Sequence, residues 1–360
     1  MALQASYFKK TFQFSFPATT SRGTMVEKDS WFLKVWEQQK PEIFGIGEAG
    51  ILVGLSLETD VIVDKELSII ANEILPKLSL SEINSIADIH KKIELSGFSS
   101  SVIFALENSL LDLINGGKRL IFNNTFFEGK PLPINGLVWM GDFDYLFQQV
   151  NKKVREGYRC IKIKVGALPI EEELAILRTI RTEYVKNNIT LRLDANGAFN
   201  EKNVMDKLKE YSAYQIHSIE QPLKKKSGFL IELKKLSPIP LALDEELIGV
   251  YSRTEKETLL SSLEPAFIVL KPSLHGGMYG CMEWIELAKK FNVGWWVTSA
   301  LESNIGLNAI SQFTANFPIK IPQGLGTGSI YRNNCISPLE ANGGWIRYDD
   351  SKKWVLSELC

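Results

Sequence analysis

The sequence predicts an α/β chain in which a closed (β/α) barrel follows an α+β unit, and three observations predict it. Alternating aromatic residues open the chain, short β-branched runs alternate with amphipathic stretches beyond Pro131, and carboxylates close three successive runs. At 360 residues the chain exceeds the usual size of a single core, which suits a barrel with an appendage.

The opening unit is assigned to residues 1–125. Phe12, Phe14 and Phe16 alternate with polar residues, Leu33 and Val35 follow Trp31 in the same rhythm, and a glycine-rich run Phe44-Gly-Ile-Gly-Glu48 comes next. Period-two alternation of this kind reads as an antiparallel meander. Ile83, Ile86, His90 and Ile93 then recur at helical spacing, and a second helix carries Leu106, Leu110, Leu113 and Ile114 up to the stop at Gly116-Gly117. The barrel is assigned to residues 130–324, with strands expected at 134–139, 160–165, 190–194, 216–220, 240–244, 266–271, 293–298 and 319–323. Amphipathic helices are expected between them, at 171–185, 201–211, 278–291 and 304–317. Eight such units favour closure over an open sheet. The Gly- and Asn-rich tail, 325–360, is expected to pack back on the opening unit.

Charge narrows the class. Lys plus Arg number 41 against 42 Asp plus Glu, so the formal charge of −1 supplies no field for nucleic acid or anionic lipid. Hydrophobic residues at 45% and charged residues at 23% describe a globular chain. Cys160, Cys281, Cys335 and Cys360 are scattered without a C-x-x-C pair, which fits idle thiols in a reducing compartment. No apolar run reaches the roughly 18 residues of a membrane span, and the start lacks a secretion signal. The expectation is a soluble cytoplasmic protein. His90, His217 and His275 have no metal-ligand spacing and no G-x-S-x-G turn to serve, so they read as structural. Lysine and carboxylate chemistry remains.

Three successive strands finish on Asp194, Glu220 and Asp244 at nearly equal spacing. Strand ends form one rim of a (β/α) barrel, so equal phase gathers these carboxylates. An all-oxygen set with no His or Cys selects Mg²⁺, and Mn²⁺ can take its place. The plainer reading of any one acid is a helix cap or a lysine partner, but independent caps have no reason to track strand ends. Lys162 and Lys164 alternate with Ile161 and Ile163 and face inward, and Lys271 keeps the same phase on the sixth strand. Burial and neighbouring positive charge favour a neutral amine, which a general base requires. The competing reading is that the lysines only neutralise the acids, a task that also suits Arg192, which is in addition a candidate substrate-binding residue.

These motifs resemble the muconate-lactonising subgroup of the enolase superfamily, and within it the ortho-succinylbenzoate synthases. The resemblance rests on Lys162-Ile-Lys164, Leu193-Asp-Ala-Asn-Gly197, Ile219-Glu-Gln-Pro222, Leu243-Asp-Glu245, Leu270-Lys-Pro-Ser273 with Gly276-Gly277, and Thr298-Ser-Ala-Leu-Glu-Ser303. Phe104-Ala-Leu-Glu-Asn-Ser-Leu-Leu-Asp112 is similar to a helix that the family carries before its barrel. The resemblance implies a (β/α)7β-type TIM barrel with a capping domain. It implies Asp194, Glu220 and Asp244 as Mg²⁺ ligands, Lys164 as general base, Lys271 as the opposing cation, and Lys162 as a group that tunes Lys164 or touches substrate. The implied reaction is loss of water from a succinyl-hydroxycyclohexadiene carboxylate to 2-succinylbenzoate, a step of menaquinone biosynthesis.

The subgroup shares one site among several reactions, so dipeptide epimerisation and N-acylamino acid racemisation stay open, as does a noncatalytic carboxylate-binding barrel. Dipeptide epimerases of the family usually carry an Asp-x-Asp after the eighth strand, where this chain reads Gln323-Gly-Leu-Gly-Thr-Gly-Ser329. Asn135-Gly-Leu-Val-Trp-Met140 resembles the synthases. Ser299 and Ser303 have two equal readings, as donors to a substrate carboxylate or as caps of the next helix. Thr19-Thr-Ser-Arg-Gly-Thr-Met25 reads equally as a lid or as a surface turn. His275 reads as a bystander, and Glu245 competes with Asp244 for the ligand position. The expected partner is a small-molecule carboxylate, with the oligomeric state left open.

Overall fold

The computed structural model describes residues 2–20, 23–357 and 359. Strands β1 (Leu3–Thr20), β2 (Gly23–Glu37) and β3 (Phe44–Gly50) form an antiparallel meander in that order. Alternation divides its side chains between two cores. Trp31, Leu33 and Val35 join the main core, whereas Phe12, Phe14 and Phe32 join a second cluster with Ile330 and Tyr331 from the tail. Three helices follow, α1 (Asp60–Ile69), α2 (Ile86–Lys92) and α3 (Ser100–Ile114). Helix α3 presses on β3 because the run 44–48 is glycine-rich. A Cβ at Gly45 or Gly47 would stand 1.8 Å from Ser109 O or 1.9 Å from Ala105 O.

After the short β4 (Leu132–Pro133) the chain alternates as expected: β5 (Gly136–Val138), α4 (Phe143–Arg155), β6 (Cys160–Lys164), α5 (Ile170–Glu183), β7 (Thr190–Asp194), α6 (Val204–Ser212), β8 (Ile216–Glu220). The pattern continues through α7 (Leu230–Leu236), β9 (Leu241–Leu243), α8 (Arg253–Leu263), β10 (Phe267–Leu270), α9 (Gly277–Lys290), β11 (Gly294–Val297) and α10 (Asn304–Thr314). Strands β5 to β11 pair in sequence order as one parallel sheet. The eighth strand expected at 319–323 is corrected: closure comes from two isolated bridges, Ile134 with Gln323 and Thr298 with Gly324. Pro318 and Pro322 lack the N–H that a longer ladder needs. In the tail, β12 (Leu339–Asn342) and β13 (Trp345–Tyr348) form a small sheet with β4. His217 lies inside β8, stacked on Phe267. Cys160, Cys281 and Cys335 are buried, and Cys360 lies outside the described residues. Among the described residues no helix is long and apolar enough to cross a membrane.

Buried polar side chains join the opening unit to the barrel helices. Glu48 of β3 accepts from Ser303 N at 2.9 Å, Ser303 Oγ at 2.6 Å and Gly306 N at 3.0 Å, so it serves the start of α10. Glu107 of α3 accepts from Met278 N at 2.5 Å and Tyr279 N at 3.1 Å at the start of α9, and meets His90 Nε2 at 2.7 Å. Gly277 makes room for that carboxylate, since a Cβ there would lie 2.5 Å from Glu107 Oε2. Both acids sit against the positive ends of helices that belong to another part of the chain. Glu107→Ala is expected to destabilise the protein by about 3 kcal/mol, because two helix N–H donors lose a buried charged acceptor. Urea unfolding measures this, and a loss below about 0.5 kcal/mol, the size of a neutral surface change, contradicts it.

Candidate active site

Strand register brings the sequence-predicted carboxylates and lysines together. Lys164 of β6 pairs with Asp194 of β7, and Asp194 pairs with Glu220 of β8, so three functional side chains occupy one row. Glu220 pairs with Ala242 of β9, which places Asp244 two residues further toward the rim. Lys271 follows β10, four strands from β6 in a barrel of eight positions, and therefore stands across the opening from Lys164. Lys162, Lys164, Asp194, Glu220, Asp244 and Lys271 all line one cavity of about 240 Å³. Thr20, Met25 and Leu52 wall it from the opening unit, and Gly326 and Thr327 from the tail. Trp139, Trp296 and Leu301 supply apolar surface, the mixture expected of a site for a small organic acid.

The electrostatics are those of a crowded, dry cluster. Lys162 Nζ lies 2.9 Å from Asp194 Oδ2 and 2.8 Å from Glu220 Oε1, and Lys164 Nζ lies 3.1 Å from Asp194 Oδ2. Lys271 Nζ bonds Asp244 Oδ2. Burial pushes the Glu220 carboxyl up to about 8, with the Asp194 charge adding to the rise. Burial acts the same way on Asp194, yet Lys162 and Lys164 outweigh it and hold that acid below its usual range. Asp244 is also lowered, since Lys271 overcomes burial. The two lysines of β6 separate. Burial lowers Lys164, and the Lys162 ammonium adds to this against the pull of Asp194. Lys162, though equally desolvated, is raised by Asp194 and Glu220. One lysine is thus biased toward the neutral amine and the other held as a cation.

Among the described residues no three His, Cys, Asp or Glu side chains form a ready metal cage; the Lys162 and Lys271 ammonium groups hold the carboxylates. The donor set nevertheless suits a hard divalent cation. Asp194 and Glu220 already share one cation in Lys162, all three acids are buried, and Asp244 Oδ1 is buried with no hydrogen-bond partner. Glu245 begins a short 3₁₀ turn, accepts from Asn196 Nδ2 at 3.2 Å and stands outside the cavity wall, so Asp244 and not Glu245 faces it.

Two of the candidate substrate contacts stand apart from the cavity. Arg192 lies below the cavity, with Nη1 on Pro322 O at 2.8 Å and its guanidinium 4.2 Å from the Trp296 ring centroid, because it points inward one rung below Asp194. Ser303 caps α10, accepts from Ile305 N and donates to Glu48, and does not reach the cavity. Ser299 does line it, paired with Thr327 at 2.7 Å. Of the lid segment, Thr20, Gly23, Thr24 and Met25 form the end of the β1–β2 pair and border the cavity, while Ser21 and Arg22 lie outside the described residues. Sequence reasoning missed Asn196, whose Oδ1 accepts from Lys164 Nζ at 2.5 Å. Its signal was present two residues after Asp194, where a residue in the left-handed region (φ 44°) turns its side chain back toward the site. It also missed His275, which is neutral, pushed down to about 3 by burial, and accepts the Lys271 N–H at Nδ1.

Comparison with known proteins agrees with this geometry. Residues 146–351 match the family model described as enolase C-terminal domain-like. The o-succinylbenzoate synthase of Desulfotalea psychrophila is 38% identical over 366 aligned positions, covering 96% of this chain and 98% of that protein. The crystal structure of MenC from the same organism superposes with a TM-score of 0.85 at 35% identity, covering 96% of this chain and all 100% of that one. Muconate lactonizing enzyme from Pseudomonas fluorescens shares the fold, with a TM-score of 0.83 at 17% identity over 99% of this chain and 98% of that one. A relative 38% identical over 96% of this chain, together with the family model over residues 146–351, makes this chain a member of the o-succinylbenzoate synthase family of the enolase superfamily.

Proposed function

We propose that this protein dehydrates 2-succinyl-6-hydroxy-2,4-cyclohexadiene-1-carboxylate to 2-succinylbenzoate in menaquinone biosynthesis, using Mg²⁺, with Mn²⁺ as a substitute. The observation that carries this reading is the pair Lys164 and Lys271, on opposite sides of one cavity floored by Asp194, Glu220 and Asp244. Those three acids would hold the cation. When bound, it supplies charge against the negative charge that develops on the substrate carboxylate.

The protein's own groups then account for the rest. Lys164, biased toward the neutral amine, takes the proton from the carbon α to the carboxylate, and the electron pair moves into the carboxylate. Collapse of that enediolate expels hydroxide from the adjacent carbon, and Lys164 returns its proton to the departing oxygen. One water leaves, the ring becomes aromatic, and the amine is restored. A single lysine serving both transfers makes the elimination syn. Asn196 and Asp194 orient the Lys164 ammonium between them. Lys271 faces the ring from the other side and stabilises the anionic intermediate by charge and by cation–π attraction. Trp139, Leu52 and Leu301 exclude water from the carbanionic step. In this reading residues 1–125 with 325–360 form the cap that grips substrate, and 130–324 form the catalytic barrel. The buried Cys160 and Cys281 thiols suit a cytoplasmic location.

The test follows aromatic ultraviolet absorbance as purified protein meets the cyclohexadiene acid with Mg²⁺. Turnover is expected, with loss on chelation and recovery on re-addition. A parallel incubation in D₂O with dipeptides and N-acyl amino acids tests the alternatives. Deuterium exchange there, without dehydration, would replace this reading by epimerisation or racemisation.

A further inference from the structure

The turn that carries Lys271 is not held by its own strand alone. Lys271 precedes a 3₁₀ turn, Pro272–Leu274, closed by Leu274 N on Lys271 O at 2.8 Å and by Lys271 N on His275 Nδ1 at 2.9 Å. Both bonds are internal to the turn, and its flanks are tied on one side by Thr298 N on Leu270 O at 2.8 Å and on the other by Gly276 N on Ser100 Oγ at 2.9 Å. Ser273 Oγ, fully buried, reaches outward and donates to Glu302 Oε1 at 2.6 Å. Glu302 is itself completely buried, and its other oxygen accepts from Ala300 N at 2.7 Å. A buried carboxylate is costly unless its partners compensate it.

The loop that bears Glu302 is anchored from three directions. Ser303 is tied to Glu48 of the opening unit, and the Leu301 carbonyl accepts from Tyr331 Oη of the tail at 2.6 Å. Ser299 Oγ pairs with Thr327. Leu301 is held at φ 61°, a left-handed conformation that a leucine adopts only when its surroundings over-determine it. The loop is therefore a rigid buttress, and it also presents Ser299 and Leu301 to the cavity.

We infer that Glu302 is a positioning residue for Lys271: through Ser273 it transmits the rigidity of the 299–303 loop, and so the docking of the cap, to the ammonium group that faces Lys164. This deepens the function proposed above and rests on it for its kinetic consequence, though not for its geometry. Glu302 touches no reacting atom. Without it, the turn loses its tie to the 299–303 loop while Gly276 N keeps its bond to Ser100 Oγ of α3 at 2.9 Å, so the turn is held from one side and tilts, carrying Lys271 with it.

Two measurements test the inference. In a crystal structure of Glu302→Ala, or of Ser273→Ala if the first variant does not fold, Lys271 Nζ is expected to leave hydrogen-bond distance of Asp244 Oδ2. A lysine that stays in place overturns the inference whatever the substrate proves to be. In turnover, Glu302→Ala is expected to lower kcat about 10²-fold, the scale of a misplacement near 1 Å. The same change in a Lys271→Arg background is expected to cost less than about threefold, because interacting sites are non-additive. Equal losses in both backgrounds overturn the inference, since a merely structural role would act alike in each. Failure of the function proposed above would show instead as absence of turnover in the unaltered protein, with the crystallographic result still decisive here.

Discussion

Lys164→Ala is expected to lower turnover of the cyclohexadiene acid about 10⁴-fold, the upper end of what one acid/base group supplies, because in the proposed reaction this amine serves both proton transfers. Its surroundings let the loss be read as chemistry. Asp194 keeps its bond to Lys162 when Lys164 is removed, so the buried carboxylate is not left without a cation. Lys162 cannot take over, because the same carboxylates hold it as an ammonium, with no free amine to accept a proton. The melting temperature is therefore expected to stay within a few degrees while kcat collapses. Single-turnover absorbance and thermal unfolding measured on one preparation check both parts. A variant within tenfold of the unaltered rate would remove Lys164 from the mechanism.

The second large effect concerns the cation. Mg²⁺ at about 100 times its dissociation constant is expected to stabilise the protein by about 2.7 kcal/mol, which raises the melting temperature by several degrees. The buried, unpartnered Asp244 Oδ1 and the Asp194–Glu220 pair are the groups that gain from it. Glu220→Gln is expected to weaken Mg²⁺ by about 10²-fold or more, roughly 3 kcal/mol for losing a charged oxygen ligand. Differential scanning calorimetry and isothermal titration measure the shift and the affinity without reference to substrate. If Glu220→Gln gains as much from Mg²⁺ as the unaltered protein, Glu220 is not a ligand and the donor set must be redrawn.

How much could be read before the fold was seen follows from which interactions are local. Strand phase is local: Lys162, Lys164, Asp194 and Glu220 fall on one face because side chains alternate along a strand, and parallel pairing carries that phase from β6 to β8. The alternation of short strands and amphipathic helices likewise exposed the barrel. Errors arose where a residue's partner lies far along the chain. Ser303 has the same immediate surroundings whether it meets substrate or a helix end, and only Glu48, 255 residues away, decides the matter. Arg192 shares the inward phase of Asp194, but depth within a barrel is a property of the closed layer, and Trp296 and Pro322 place it below the site. The eighth strand was overestimated because the prolines that shorten it also sit comfortably at the ends of true strands.

Asn196 and Glu302 mark the same boundary from the other side. Both stand inside motifs visible in the chain, yet neither had a reason to be chosen. Asn196 acquires its role from a left-handed backbone that turns it onto Lys164, and Glu302 from a serine on the neighbouring strand's turn. Period and composition were thus sufficient for the kind of fold and for placing the acids and amines on one rim, while the reaction class came from the resemblance of the motifs to a family. Depth, helix capping across units and the bracing of each amine came from chain closure. These depend on distances between segments that no spacing along one strand encodes.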